Sequence, residues 1–159
     1  MKTNYFVSGL LVLIICVCGC GQKLPDGMPK LRPCSVTIVQ AGQPLADATV
    51  DLILKEGNAK WSVSGMTDAT GRVECITHGL YKGAPEGTYK VVVTKRENGT
   101  KDAKGYLPIY SVVDKKYTDP STTPLEIVVD AKGCDEKLDA GTPVKIQVDR
   151  LEPTIEPKG

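Results

Sequence analysis

The chain has 159 residues, enough for one domain and at the limit two small ones. Its 20 Lys and Arg against 19 Asp and Glu give a net charge of +1, far from the basic excess of a nucleic-acid-binding protein, so no nucleic-acid partner is expected. A single histidine, His78, excludes a His-built zinc site and makes any His-based triad hang on one residue, so no catalytic residue, metal or cofactor is expected.

Lys2 is the one charge before Lys23, and Tyr5 to Val17 is nearly all apolar. A bilayer-spanning helix needs about 20 apolar residues, and this run is shorter. A basic start, a short apolar stretch and small residues after it describe a secretory signal peptide. Val17-Cys18-Gly19-Cys20 resembles a bacterial lipobox, with an aliphatic residue at −3 and a small one at −1. That resemblance implies cleavage after Gly19 and lipidation of Cys20. Residues 1–19 are then the signal peptide, and residues 20–33 the lipidated cysteine and a flexible tether containing Pro25, Pro29 and Pro33. At about 3.3 Å per residue, the tether reaches at most roughly 40 Å. Losing Lys2 leaves basic and acidic side chains in balance, so membrane attachment falls to the lipid rather than to a polybasic patch. The expected location is extracytoplasmic, anchored to the cell membrane or, since Gly21-Gln22 carries no Asp at +2, the outer membrane.

From Cys34 the apolar period is two. Cys34, Val36 and Ile38 alternate with polar neighbours, and Ala41-Gly42-Gln43-Pro44 ends the run. Val50, Leu52 and Leu54 form a second strand and Trp61, Val63 and Gly65 a third. Asp68-Ala69-Thr70-Gly71 places Asp and Gly as a type I turn prefers them. Val73, Cys75 and Thr77 follow, then Tyr89, Val91 and Val93, and Asn98-Gly99 is a strong turn signal. Leu125, Ile127 and Val129 make a sixth strand, and Val144, Ile146 and Val148 the last. Seven short strands with turns between them predict an antiparallel β-sandwich over residues 34–150, followed by a tail, 151–159. Val50, Leu52, Val73, Tyr89, Val91, Val93, Ile127 and Ile146 are expected to point inward. Lys101 to Thr123 shows no clean strand pattern, and its Tyr106, Tyr110 and Tyr117 are expected to fold against the sandwich.

Four segments together resemble one family. Ala41-Gly42-Gln43-Pro44-Leu45-Ala46-Asp47-Ala48-Thr49-Val50, Thr67-Asp68-Ala69-Thr70-Gly71-Arg72-Val73 and Gly87-Thr88-Tyr89-Lys90-Val91-Val92-Val93 are similar to motifs of carboxypeptidase regulatory-like, transthyretin-like domains. Asp114-Lys115-Lys116-Tyr117-Thr118-Asp119-Pro120, running on to Leu125, resembles a segment of small lipoproteins of planctomycete-type bacteria that carry such a domain. The resemblance implies a seven-stranded immunoglobulin-like, or prealbumin-like, sandwich and no established activity. Ala131 to Gly141, with Cys134, departs from that pattern as a long connection. In the family's sandwich the first and last strands lie side by side. This implies a Cys34–Cys134 disulfide in a compartment where disulfides form, with Cys75 left as a small buried hydrophobe.

The remaining chemistry is sparse. Asp68 with Thr70, or Asp114 with Asp119, has oxygen ligands for calcium, but turn chemistry accounts for both. The first strand has no Lys and the last no Asn, which excludes an isopeptide bond between them. Trp61 with Tyr106, Tyr110 and Tyr117 is a candidate carbohydrate-stacking platform. The expected role is binding, adhesion or envelope structure without catalysis. The alternatives are docking onto a larger surface complex and carbohydrate binding; the partners are the membrane through lipid and an envelope protein or polysaccharide.

Overall fold

The computed structural model describes residues 23–57 and 60–152. The expected signal peptide, Cys20, Asn58 and residues 153–159 lie outside the described residues. Within them the chain is all-β, with fifteen strands and one 3-10 turn, Lys115–Tyr117. In chain order the strands are β1 (Leu31–Arg32), β2 (Cys34–Gln40), β3 (Gln43–Pro44), β4 (Thr49–Leu54), β5 (Val63–Met66), β6 (Arg72–Glu74), β7 (Ile76–Thr77) and β8 (Tyr81–Lys82). They continue as β9 (Ala84–Pro85), β10 (Gly87–Thr94), β11 (Arg96–Asn98), β12 (Leu107–Ser111), β13 (Glu126–Val129), β14 (Cys134–Asp139) and β15 (Ile146–Leu151).

A six-stranded antiparallel sheet runs β13-β10-β4-β5-β7-β8. A second sheet is built on β2, with β14 along one edge and β6 and β3 sharing the other. Alternation drives the packing. In β4, Val50 and Leu52 are buried; in β13, Ile127 and Val129 are buried between exposed Glu126 and Val128. These meet Val36 and Ile38 of β2, Val73 of β6, and Tyr89, Val91 and Val93 of β10 in one core, a β-sandwich-like arrangement. The predicted turn at Asp68 forms: its carboxylate accepts the Thr70 and Arg72 amides at 2.8 and 3.0 Å, and Gly71 donates to the Asp68 carbonyl at 2.9 Å. Gly71 has φ 75°, and a Cβ there would overlap the Ile38 carbonyl oxygen, so the position requires glycine. Thr67 pins the preceding loop, donating to the Leu45 carbonyl at 2.6 Å and accepting from the Ala48 amide at 2.8 Å.

All seven expected runs contain strands, and five expectations need correction. Asn98-Gly99 is not a turn: Asn98 lies opposite Ile109 in the β11–β12 ladder, and the Gly99 amide donates to the Pro108 carbonyl at 2.7 Å. Lys101–Thr123 is not strandless: it holds β12 and the 3-10 turn. Every residue of β12 is half-buried and one is Pro108, so no alternation marks it. Ala131–Gly141 is not a connection but contains β14, which runs parallel to β2, so the fold is not wholly antiparallel. Ile146 is 46% exposed, because β15 pairs with β12 in a separate three-stranded sheet, β11-β12-β15, rather than with the core sheets. The expected tether also ends early. Met28 is buried, Leu31–Arg32 pairs with Ala84–Pro85, and Arg32 forms an ion pair with Glu86.

The two faces of this register are separable by mutation. Leu52→Ala, which empties a core site, is expected to lower unfolding free energy by about 2–5 kcal/mol. Ile146→Ala is expected to change it by less than about 0.5 kcal/mol. Urea denaturation of the two variants checks both.

Candidate functional site

β15 is the outer strand of its sheet, and all six of its residues are exposed. A strand edge presents unpaired N–H and C=O groups and is ordinarily guarded by charges or bulges. β15 has both devices: the β12–β15 register shifts between Ile109 and Tyr110, and Lys145, Asp149 and Arg150 lie in or beside the strand. Two of the cations are drawn aside, however. The Lys145 ammonium sits 4.8 Å from the centre of the Tyr110 ring, and the Arg150 guanidinium 4.6 Å from that of Tyr106. Ile146 and Val148, 46% and 48% exposed, are left open. They line a groove of about 350 Å³ with Ser111, Val113, Lys115 and Thr118.

The structure divides the residues of the candidate platform. Tyr117 is buried in the core under Gly141. Tyr106 and Tyr110 are half-buried and already carry cations. Trp61 lies elsewhere, in a groove with Pro29, Pro85 and Tyr89, with Lys60 over its ring at 5.1 Å and His78 against it edge-on at 5.7 Å. Asp51, Ser62 and His78 line one depression. The link between them there is through backbone, the His78 amide donating to the Ser62 carbonyl at 2.7 Å. Burial raises the Asp51 carboxyl above its ordinary range. The aspartates weighed as calcium ligands serve turns: Asp114 accepts the Lys116 amide at 2.9 Å and Asp119 the Ser121 amide at 2.7 Å. Among the described residues no group of His, Cys, Asp and Glu side chains is placed to hold a metal ion.

The cysteines converge. Cys34 and Cys134 are direct partners in the parallel β2–β14 ladder. On the other side of Cys34, the Cys75 amide donates to the Cys34 carbonyl at 2.9 Å, continuing the register that pairs Val36 with Val73. The order is therefore Cys75, Cys34, Cys134 across three adjacent segments, all three as free thiols. Cys34 and Cys75 are buried and Cys134 is half-buried. The expected Cys34–Cys134 juxtaposition is present, but the strand beside β2 is β14 and not the last strand. Cys75 is buried as expected, yet it is a third member of the row rather than an isolated hydrophobe. The neighbouring Cys75 thiol and burial push the Cys34 thiol far above its ordinary range. Burial, then the approach of Cys34, pushes Cys134 up to about 12. Burial also raises Tyr89 to about 12; its hydroxyl donates to the Pro85 carbonyl at 2.9 Å.

The sequence carried a signal for β14 that alternation did not. Asp130-Ala131-Lys132-Gly133 repeats the Asp-x-x-Gly spacing of the turn at Asp68, with the Asp130 carboxylate accepting the Lys132 and Gly133 amides at 2.7 and 3.1 Å. Comparison with known proteins found no matching family model, no matching curated protein and no matching solved structure.

The raised acids make stability pH-dependent in one direction. Thiols at 9.0 and a tyrosine at 10.0 in the unfolded chain lose protons before their folded counterparts do. Above pH 9 the folded state therefore binds more protons, and stability falls as pH rises toward 12. With the three thiols kept reduced, the urea midpoint is expected to be flat from pH 7 to 8.5 and to fall steadily to pH 11. The fall should be shallower in Cys134→Ala. A midpoint that rises over that range contradicts the assignment.

Proposed function

We propose that this chain is a lipid-anchored cell-envelope module that acts by binding rather than by catalysis, with β15 as its working edge. The observation that carries the reading is the pair Ile146 and Val148, left open on an outer strand whose neighbouring cations are folded back over Tyr110 and Tyr106. The occupant is an extended segment of an envelope protein that adds a strand to β15. Main-chain hydrogen bonds supply affinity, and the groove beside Val113 supplies side-chain selectivity. The chain is on this reading an accessory subunit of a larger surface complex. The absence of any hydrogen bond among the side chains of Asp51, Ser62 and His78, within the described residues, favours binding over chemistry at that depression.

The finer fold assignment belongs to the same proposal: an immunoglobulin-like or prealbumin-like sandwich of the carboxypeptidase regulatory-like, transthyretin-like kind. Its support is that the four motif segments fall on coherent pieces of structure. Residues 41–50 make the turn from β2 through β3 into β4; residues 67–73 make the turn into β6. Residues 87–93 are β10, and residues 114–125 are the 3-10 turn and its passage to β13. The lipobox at Val17–Cys20 supports the anchor and the extracytoplasmic location.

Two measurements test this. A photo-crosslinking amino acid placed at Val148 in cells is expected to give a discrete higher-mass adduct. The adduct should vanish in Ile146→Asp and be missing when the crosslinker replaces Ser64. Equal labelling from both positions, or none, overturns the docking edge. Separately, Cys20→Ser is expected to move the chain from the membrane to the soluble fraction; retention after a high-salt wash overturns the anchor.

A further inference from the structure

We propose that Cys75, Cys34 and Cys134 form a thiol–disulfide exchange site in which Cys34 is the shared partner. The oxidised protein carries Cys34–Cys134, with Cys75 held as the internal thiol able to take Cys134's place. This inference is independent of the docking edge and of the anchor.

The geometry rests on three adjacent positions, Cys34 on β2, Cys134 on β14 and Cys75 between β6 and β7. Neighbouring strands lie about 4.7–4.9 Å apart, and disulfides span Cα separations of about 4.4–6.8 Å. Cys34 therefore has a competent partner on each side, through the β2–β14 register and through its bond from the Cys75 amide. Cys34 and Cys75 alternate in phase with the buried Val36 and Val73, and Cys134 packs against the same core cluster, so the three side chains share the inner face. Two features hold the row. Cys134 donates its amide to the Pro33 carbonyl at 2.9 Å. Gly133, at φ 107°, lies so close that a Cβ would overlap that same carbonyl oxygen.

Access is graded. Cys134 is half-exposed at the outer edge of the sheet, and a depression of about 430 Å³ opens onto Cys34 and Cys75 between Leu31, Pro33, Glu74 and Lys82. The oxidant is a disulfide donor, either glutathione disulfide or an oxidoreductase of the same chemical class. The Cys134 thiolate attacks one donor sulfur, and the first donor thiol leaves carrying the proton lost by Cys134. The Cys34 thiolate then attacks the Cys134 sulfur of the mixed disulfide, and the second donor thiol leaves with the proton from Cys34. Two protein thiols and one donor disulfide become one protein disulfide and two donor thiols, the two electrons passing to the donor. In the internal exchange, the Cys75 thiolate attacks the Cys34 sulfur and Cys134 departs, taking up the proton from Cys75, with no net redox change.

Cys34–Cys134 prevails because β14 is an edge strand with one neighbour and can adjust to the bond's dihedral requirement. Cys75 lies at a corner where the chain leaves the β2 sheet for β7, with its carbonyl bound to the Gly83 amide at 2.8 Å. The raised thiols add a kinetic consequence. Few are ionised near neutral pH, so the folded chain oxidises slowly and refolding is the faster route.

The test uses the full chain in detergent, equilibrated with a glutathione–glutathione disulfide buffer both folded and during refolding from urea. Samples are alkylated and mapped as peptides without reduction. The expected result is a Cys34–Cys134 peptide with Cys75 alkylated in the wild type, and a Cys34–Cys75 peptide in Cys134→Ser. Three alkylated thiols after refolding, a predominant Cys34–Cys75 link in the wild type, or an unlinked Cys134→Ser overturns the proposal. The wild-type map stands alone if the variant does not fold.

Discussion

Residues 32–34, where the chain enters β2, are the constraint on which the rest of this molecule depends. Three separate parts of the chain are paired with them. Cys75 reaches the Cys34 carbonyl, Cys134 reaches the Pro33 carbonyl, and Arg32 is paired with Ala84. Further along, the same strand carries β6 and then β3 on one edge and β14 on the whole of the other. Backbone polar groups in a buried strand must find partners, and β2 finds them with segments some 40 and 100 residues away. Once that ladder closes, Val36 and Ile38 can only face the six-stranded sheet, and the core follows. Glycine at 133 is part of the same constraint, because β14 cannot approach Pro33 with a side chain at that position.

Alternation made the core strands legible because each of them has one face in the core and one toward water. Val50, Leu52, Val73, Tyr89, Val91, Val93 and Ile127 are all buried, as their period requires. The strands that escaped are those for which the premise fails. β14 is a sheet edge reading Cys-Asp-Glu-Lys-Leu-Asp, polar because four of its six side chains carry charge into solvent. β12 is half-buried throughout, so it has no contrast to read. Ile146 fits the period of a core strand but faces out, since period two shows that a strand has two faces and not that either is covered. Turn chemistry was the better guide where an aspartate caps the turn, though not at Asn98-Gly99, which extends the β11–β12 ladder. Asp68-x-x-Gly71, Asp102-x-x-Gly105 and Asp130-x-x-Gly133 all fold as carboxylate-capped turns, and a strand begins within two residues of each.

The candidate site was partly legible for a similar reason. The resemblance to a sandwich with adjacent first and last strands singled out Cys34 and Cys134, and both stand in the row, although the strand beside β2 is β14. Cys75 was read by phase alone as a core residue, which it is, but phase says nothing about which strand lies alongside. The tyrosines were read as a group because they share a loop in sequence. The fold separates Tyr117 from the other two by turning it inward on the 3-10 turn, and it places Trp61 in another groove altogether.

The molecule exposes apolar side chains in more than one place, and charge distinguishes the edge proposed for docking from the face of the six-stranded sheet. On the outer face of the six-stranded sheet, Ile53 and Val128 are 40% and 60% exposed. In that face Lys90 stands between Ile53 and Glu126, and Glu126 is bridged to Lys90 at 2.7 Å and to Lys55 at 3.2 Å, with Lys90 also donating to the Thr123 carbonyl at 3.1 Å. The bonds from Lys90 and Lys55 hold Glu126 below the usual carboxylate range, so it stays ionised. Exposed pairs of this kind add little stability, but they keep a fixed, hydrated triad in the middle of the face, and a partner would have to strip its water to seat there. At β15 the arrangement is inverted. The Lys145 and Arg150 cations lie over tyrosine rings, and Ile146 and Val148 are exposed beside them. On the proposed reading a partner strand pairs there without desolvating an ion pair, and that difference favours the edge over the sheet face.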